Sequence, residues 1–254
     1  MKVVILAGGF GTRISEESEN KPKPMINIGG TPILWHIMKY YSSFGFNDFI
    51  ICCGYKSYVI KEYFSNYHLH QSDFKVNTID GSIKLYNKGS ENWNVDLIDT
   101  GLHTMTGGRL KRVSHLVGET FFMTYGDGLS NVDIPKLLQF HKNHGLEATV
   151  TAVKPPGRFG ALEIINGKVK SFMEKPKGDG GYINGGFFVL NRSVLDRIKD
   201  DSTVFERDPL IGLAKDKELG SFIHNDFWQP MDTLREKIFL EKLYIENKAK
   251  WKIW

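Results

Sequence analysis

The chain opens with an unbroken apolar run, "KVVILA" (2–7), that gives way at once to "GGFGTR" (8–13). A strand with no polar alternation has to be covered on both faces, which is the situation of strands inside parallel sheets flanked by helices. Open sheets of that kind hold ligands in the crevice beyond the carboxyl ends of their strands, where Gly8, Gly9 and Gly11 fall. Glycines there allow positive φ and let backbone N–H groups come close to a phosphate or a base. Arg13, Lys21 and Lys23 follow with no apolar periodicity between them, a spacing that suits anion contacts better than a helix.

The same rhythm recurs along the chain. "TPILWHIMKYYSSFG" (31–45) reads as a helix with Thr31 as N-cap, Pro32 at its first position and Gly45 past its end. Ile33, Leu34, Ile37, Met38 and Tyr41 fall on its buried face. "DFIICCG" (48–54) is a second buried strand, and a short helix is expected from Ser57 through Phe64. Residues 80–95 are polar and irregular, a loop or a small hairpin. A strand over Thr120 to Tyr125 precedes a helix capped by Asp133, with Pro135 near its start and Gly145 as its stop. "EATVTAV" (147–153) is another strand. After residue 155 the pattern changes: "GALEIINGKVKSFMEKP" (160–176) reads as two strands around the hairpin signal Asn166-Gly167. "YINGGFFVL" (182–190) is again a strand, and Asp232 to Lys248 is helical. Alternating strands and helices imply a Rossmann-like α/β fold. The expectation is one domain over 1–254, with a mostly parallel sheet, helices on both faces and a small antiparallel extension on the substrate side.

Composition narrows the class. The chain has 254 residues, 41% of them hydrophobic and 24% charged, enough for a sizeable core. No apolar run approaches the length of a membrane span, and the first residues do not read as a secretory signal, so a cytoplasmic protein without membrane association is expected. The two cysteines, Cys52 and Cys53, are adjacent and would point to opposite faces of one strand, so they are read as reduced core thiols. A net charge of +4 with no clustered basic stripe fits a small anionic ligand and not a nucleic acid. The tail "KAKWKIW" (248–254) is expected to dock Trp251 and Trp254 on the chain's own core or on a neighbouring subunit.

Two phosphate-binding signatures fail. A P-loop requires G-x-x-x-x-G-K-[ST], which "GGFGTR" does not supply. A dinucleotide fingerprint would need glycine where Ile14 stands, and no acidic residue is placed about 20 positions on to hold a ribose.

"LAGGFGTR" (6–13) followed by "KPKPM" (21–25) resembles the sugar-1-phosphate nucleotidyltransferase family. The likeness extends over most of the chain through "YGDG" (125–128), "EKP" (174–176), "INGGFFV" (183–189) and "WQPMDT" (228–233). Where that family commonly has L-G-D and D-I-G-T, this sequence has "YGDG" and "PMDT". These departures, with "CCGYK" (52–56), "TGGRLKRV" (106–113) and "GRFGALE" (157–163), are similar to its glucose-1-phosphate cytidylyltransferase branch. The resemblance implies CTP and α-D-glucose 1-phosphate as substrates, Mg²⁺ as the cofactor, CDP-glucose and pyrophosphate as products, and a homo-oligomer. It also implies that 1–155 mainly bind the nucleotide, and 156–254 mainly the sugar phosphate. A UDP- or dTDP-glucose pyrophosphorylase, or a non-catalytic nucleotide-sugar sensor on the same fold, are the alternatives.

Carried onto this sequence, the resemblance implies a nucleotide site made by Leu6, Ala7, Gly8, Gly9, Phe10, Gly11, Thr12, Arg13, Lys23, Thr104, Arg109 and Gly126. Arg13 and Lys23 would take the phosphates, and Asp127 and Asp232 would hold the metal, the four being the expected catalytic set. Gly160, Glu174, Lys175, Asn184 and Gly185 would receive the sugar phosphate. The chemistry suits these residue types: the two substrates bring several negative charges together, so catalysis rests on positioning and charge neutralisation, and no side-chain nucleophile is needed. A guanidinium grips two phosphate oxygens at once. Pro22 and Pro24 restrict the backbone around Lys23. Mg²⁺ favours one or two carboxylates completed by phosphate oxygens and water. Plainer readings exist for two residues: Asp232 as a helix N-cap, and Arg109 as a surface cation starting a helix.

Overall fold

Runs of Val, Ile and Phe gather into one seven-stranded sheet in the computed structural model, which describes residues 1–11, 14, 21–86, 89, 91–155, 161–165, 168–173 and 181–254. Its strands are β1 (Lys2–Leu6), β2 (Asp48–Cys53), β3 (Asn94–Asp99), β4 (Thr120–Tyr125), β5 (Ala148–Val153), β6 (Ile183–Asn191) and β7 (Leu219–His224), in the spatial order β7-β5-β6-β4-β1-β2-β3. β6 runs antiparallel to both its neighbours, and every other pairing is parallel. Consequently β1, β2 and β4 end side by side, with Leu6 in register with Cys52 on one side and Tyr125 on the other.

Alternation along the central strands feeds two cores. Val3, Ile5, Phe49, Ile51 and Phe122 face one side, against Ile33, Leu34, Ile37, Met38 and Tyr41 of helix α1 (Ile33–Ser42). Ile60 of α2 (Ser57–Ser65), Leu137 of α4 (Ile134–His144) and Leu240 of α6 (Leu234–Ile245) join that face, α3 (Thr106–Arg112) lying on the opposite one. There Val4, Leu6, Ile50, Phe121 and Met123 pack on Leu110 of α3 and Leu213 of α5 (Asp208–Lys215). Each such side chain contributes roughly 1.5–3 kcal/mol on leaving water. Cys52 and Cys53 are free, buried and divided between the two cores, and burial pushes the Cys53 thiol up to about 12.

Several local expectations hold. Asp133 Oδ1 accepts from the Lys136 backbone N–H at 2.9 Å, and Gly145 ends α4 with φ 69°. Strands Ala161–Ile165 and Lys168–Met173 pair antiparallel, as the Asn166-Gly167 signal implies, although those two residues lie outside the described residues.

Others are corrected. Thr31 does not cap α1: it pairs with Ile28 in a two-residue ladder, and its hydroxyl lies 2.9 Å from His36 Nε2, leaving Pro32 just before the helix. Asp232 is not the cap of α6 either. Thr233 is, in a reciprocal capping box with Glu236. β3 and β7 form the two edges of the sheet and were not read as strands, because edge positions are half-covered and need no continuous apolar run. The stretch before β3 holds a small hairpin, Phe74–Val76 with Ile83–Leu85. The tail docks on its own chain: Trp251 is fully buried and stacks on Phe227 at 5.5 Å, and Trp254 sits 5.7 Å from Trp35. Trp251 Nε1 donates to His36 Nδ1 at 3.3 Å, so His36 carries its proton on Nε2 and donates it to Ile28 O at 2.7 Å.

Candidate active site

The glycine loop beyond β1 is moored from below by one buried arginine. Arg109, on the second turn of α3, is only 4% exposed. Its Nη1 donates to Cys53 O at 3.1 Å, Thr100 Oγ1 at 2.7 Å and Gly101 O at 2.8 Å, and its Nη2 to Gly8 O at 3.0 Å and Leu102 O at 3.4 Å. One guanidinium thereby ties the ends of β1, β2 and β3 and the loop before α3. Burial lowers its pKa, although not enough to threaten the charge of a group with so high an ordinary value. The surface-cation reading of Arg109 is excluded. It lines the cavity beside the glycine loop, but its terminal nitrogens are committed to protein oxygens.

The mooring also explains a glycine. A Cβ on Gly8 would sit 2.1 Å from Arg109 Nη1, so glycine is required there for close approach to the arginine, whereas a Cβ on Gly9 would meet nothing within 4 Å. Gly11, with φ 66°, is where the loop needs the left-handed region.

Lys23 sits in a single 3₁₀ turn, Lys23–Met25, entered from Pro22, and is 6% exposed. Its ammonium lies 2.6 Å from Asp127 Oδ2 and 2.6 Å from Asp232 Oδ1. The three residues are separated by more than a hundred positions each way, and β4, the 3₁₀ turn and the lead-in to α6 bring them together. Burial disfavours the lysine's charge. The Asp127 carboxylate and the hydrogen bonds to both aspartates outweigh it, and the pKa is held above the usual lysine value. Among the described residues no group of three or more His, Cys, Asp or Glu could hold a metal. Asp127 and Asp232 converge on the Lys23 ammonium, and their hard carboxylate oxygens are the donor type that suits a divalent cation completed by phosphate oxygens and water.

Two cavities open on either side of this cluster. The first, of about 490 Å³, is lined by the loop 6–11, by Lys23 and Pro24, by 102–106 and Arg109, and by Tyr125, Gly126 and Asp127. The second, of about 390 Å³, is lined by 124–125 and 127–128, by 184–187, by Glu206, and by Trp228, Pro230 and Asp232. Tyr125 and Asp127 belong to both.

Of the residues expected in the nucleotide site, Leu6, Ala7, Gly8, Gly9, Phe10, Gly11, Lys23, Thr104, Arg109 and Gly126 all line the first cavity. Asn184, Gly185 and Asp232 line the second, with Asp127 shared. Thr12, Arg13, Gly160, Glu174 and Lys175 lie outside the described residues. Three lining residues were not singled out from the sequence. The Tyr125 hydroxyl donates to Glu206 Oε1 at 2.5 Å, and Trp228 Nε1 donates to Gly185 O at 2.6 Å. Tyr125 opens "YGDG" (125–128) and Trp228 opens "WQPMDT" (228–233), where neither has a role legible from its neighbours, and Glu206 carries no motif at all.

Comparison with known proteins places the chain in a family. The family model described as nucleotidyl transferase matches residues 2–229. The chain is 60% identical to the glucose-1-phosphate cytidylyltransferase of Salmonella typhimurium and 43% identical to the probable glucose-1-phosphate cytidylyltransferase of Bacillus subtilis, in each case over the whole of both chains. Among solved structures it is similar to the crystal structure of HddC from Yersinia pseudotuberculosis, with a TM-score of 0.68 and 25% identity, covering 96% of this chain and 99% of that one. A family-model match over residues 2–229, with full-length relatives at 60% and 43% identity, shows that this chain belongs to the nucleotidyl transferase family.

Proposed function

We propose that the chain is a glucose-1-phosphate cytidylyltransferase, transferring the cytidylyl group of CTP to α-D-glucose 1-phosphate. The observation that carries this reading is the meeting of two cavities at Tyr125 and Asp127, with Lys23 in the seam. Full-length likeness at 60% identity to a protein of that name supplies the base and the sugar.

CTP occupies the glycine-loop cavity, with its base and ribose against 6–11 and 102–106 and its phosphates toward Lys23. Glucose 1-phosphate occupies the second cavity, with its phosphate toward Asp127. A phosphate oxygen of the sugar forms a bond to the α-phosphorus of CTP, and the bond from that phosphorus to the bridging oxygen of the leaving pyrophosphate breaks. Asp127 and Asp232 would hold Mg²⁺, which supplies charge neutralisation on the phosphate oxygens. Lys23, already charged and buried between the two aspartates, is positioned to meet the phosphates near the bond being broken. Arg109 keeps the glycine loop and the loop before α3 in one fixed relation, so the nucleotide meets a preformed wall. Arg13 and Lys175 are the further cations assigned to the nucleotide and sugar phosphates, and Gly160 and Glu174 complete the sugar side. Residues 1–155 serve mainly the nucleotide and 156–254 mainly the sugar phosphate. The active protein is a cytoplasmic homo-oligomer.

A panel of four nucleoside triphosphates against several hexose 1-phosphates, with and without Mg²⁺, tests this by pyrophosphate release. Turnover is expected with CTP and glucose 1-phosphate in the presence of Mg²⁺. Preference for UTP or dTTP would reassign the base, and tight CTP binding without release under any combination would reduce the protein to a sensor.

A further inference from the structure

The second cavity contains a carboxylate for which the reaction as written has no use. Glu206 comes from the segment after β6, held against α3 by backbone bonds: Met105 N–H donates to Asp201 O at 2.8 Å and Gly107 N–H to Thr203 O at 3.0 Å. The carboxylate itself is fixed from two directions. Tyr125 Oη donates to Oε1 at 2.5 Å, and Thr106 Oγ1 donates to Oε2 at 2.6 Å. Thr106 is in turn set by the Phe205 N–H, which donates to its hydroxyl at 2.9 Å, and Tyr125 accepts from Asn184 Nδ2 at 3.3 Å. Burial, then the charge of Glu206 and its hydrogen bond, push the Tyr125 pKa up, so its hydroxyl keeps the proton it donates.

An ionised carboxylate offers about four acceptor positions. Two are taken by Tyr125 and Thr106, which leaves acceptor capacity on a group that lines the cavity. Among the described residues Glu206 forms no ion pair, and no lysine or arginine among them lines this cavity. Among the described lining residues the charged ones are Asp127, Glu206 and Asp232, of which the two aspartates face Lys23. The Glu206 carboxylate attracts a hydroxyl donor and repels a carboxylate brought against it.

We infer that Glu206 is a specificity-determining residue of the sugar pocket: oriented by Tyr125 and Thr106, it accepts a hydrogen bond from a hexose hydroxyl and disfavours sugars bearing a carboxylate. The inference rests on the functional reading above and deepens it. A site built to bond a substrate hydroxyl rejects the analogue that lacks it more sharply than an apolar wall could, because its own polar group is left without a partner.

The test pairs Glu206→Gln with substrate analogues. Glu206→Gln keeps the shape and removes the charge. With glucose 1-phosphate it should lower kcat/KM by about 10- to 100-fold, the range for a hydrogen bond to a charged group, while leaving the KM for CTP unchanged. One of the 2-, 3-, 4- or 6-deoxyglucose 1-phosphates should be a poor substrate for the unsubstituted enzyme and suffer little further loss from Glu206→Gln. Glucuronate 1-phosphate should gain relative to glucose 1-phosphate. Tyr125→Phe, which removes one of the two orienting donors, should show the same analogue dependence with a smaller loss. Equal losses on every analogue, or a parallel rise in the KM for CTP, would reduce Glu206 to a structural strut and overturn the assignment. If the unsubstituted enzyme itself turned over no sugar phosphate with CTP, the parent reading would fall and this assignment with it.

Discussion

The two cavities are built on opposite principles. The glycine-loop cavity has a buried cation as its foundation: both terminal nitrogens of Arg109 donate to protein oxygens from the ends of three strands and the adjoining loop. The second cavity has carboxylates along its wall and, among its described residues, no lysine or arginine. The comparison teaches where charge is handled. On the proposed assignment of substrates, the nucleotide wall is internally satisfied and would select by shape and backbone, while the sugar wall retains acceptor capacity and would select by hydroxyl donation. The phosphates of both substrates would then fall to the seam, where Lys23 stands 2.6 Å from each of two aspartates.

The seam is where that division can be broken most severely. Lys23→Ala should lower turnover by about 10³-fold, and Asp127→Asn by a similar factor, with both variants keeping the thermal stability of a folded protein. Near-normal steady-state kinetics in either would remove that residue from the catalytic set. Next in size is the foundation of the nucleotide wall. Arg109→Met leaves several buried oxygens without donors and should cost about 3–4 kcal/mol of stability. It should raise the KM for CTP well before that for glucose 1-phosphate. Denaturant unfolding with paired kinetics reads both, and an equal rise in the two KM values would erase the contrast between the cavities.

Acid supplies a control that should spare neither cavity. His36 is buried and neutral, with its pKa lowered to about 4 by burial, partly opposed by its bond to Ile28 and assisted by Lys252. The unfolded chain takes up this proton near pH 6.5 and the folded chain near pH 4. Its contribution is thus complete above pH 6.5 and is lost progressively down to pH 4, about 3 kcal/mol in all. Denaturant midpoints should fall as the pH is lowered across that range, and His36→Gln should flatten the slope. The smallest effect belongs to the sugar wall. Trp228→Phe removes the bond from Nε1 to Gly185 O and some ring volume packed on the core, and should cost about 1–2 kcal/mol of stability. The KM for glucose 1-phosphate should rise a few-fold with that for CTP unmoved, and steady-state kinetics checks this directly.

The legibility of the molecule follows the same divide. The central strands could be read because a strand covered on both faces must be apolar throughout, and "KVVILA" (2–7), "DFIICC" (48–53) and "TFFMTY" (120–125) are nearly so. The edges β3 and β7 escaped because half-covered strands tolerate "NVDLID" (94–99) and "LGSFIH" (219–224). In the site, Lys23, Asp127 and Asp232 announced themselves through local motifs, while Glu206 did not, since its partners Thr106 and Tyr125 lie 100 and 81 positions away.

Local chemistry thus determined which segments would be strands and helices, where a glycine loop would leave the sheet, and which cations and carboxylates could serve phosphates. Hydrophobic pattern, turn residues and short motifs are properties of neighbours in the chain. Tertiary structure alone decided that Arg109 would be a buried mooring and not a surface cation, that Thr233 and not Asp232 would cap α6, and that Glu206 would line the second cavity. Each of those outcomes depends on which distant oxygen or nitrogen ends within about 3 Å of the group, a hydrogen-bonding distance that only the packed sheet and its loops can set.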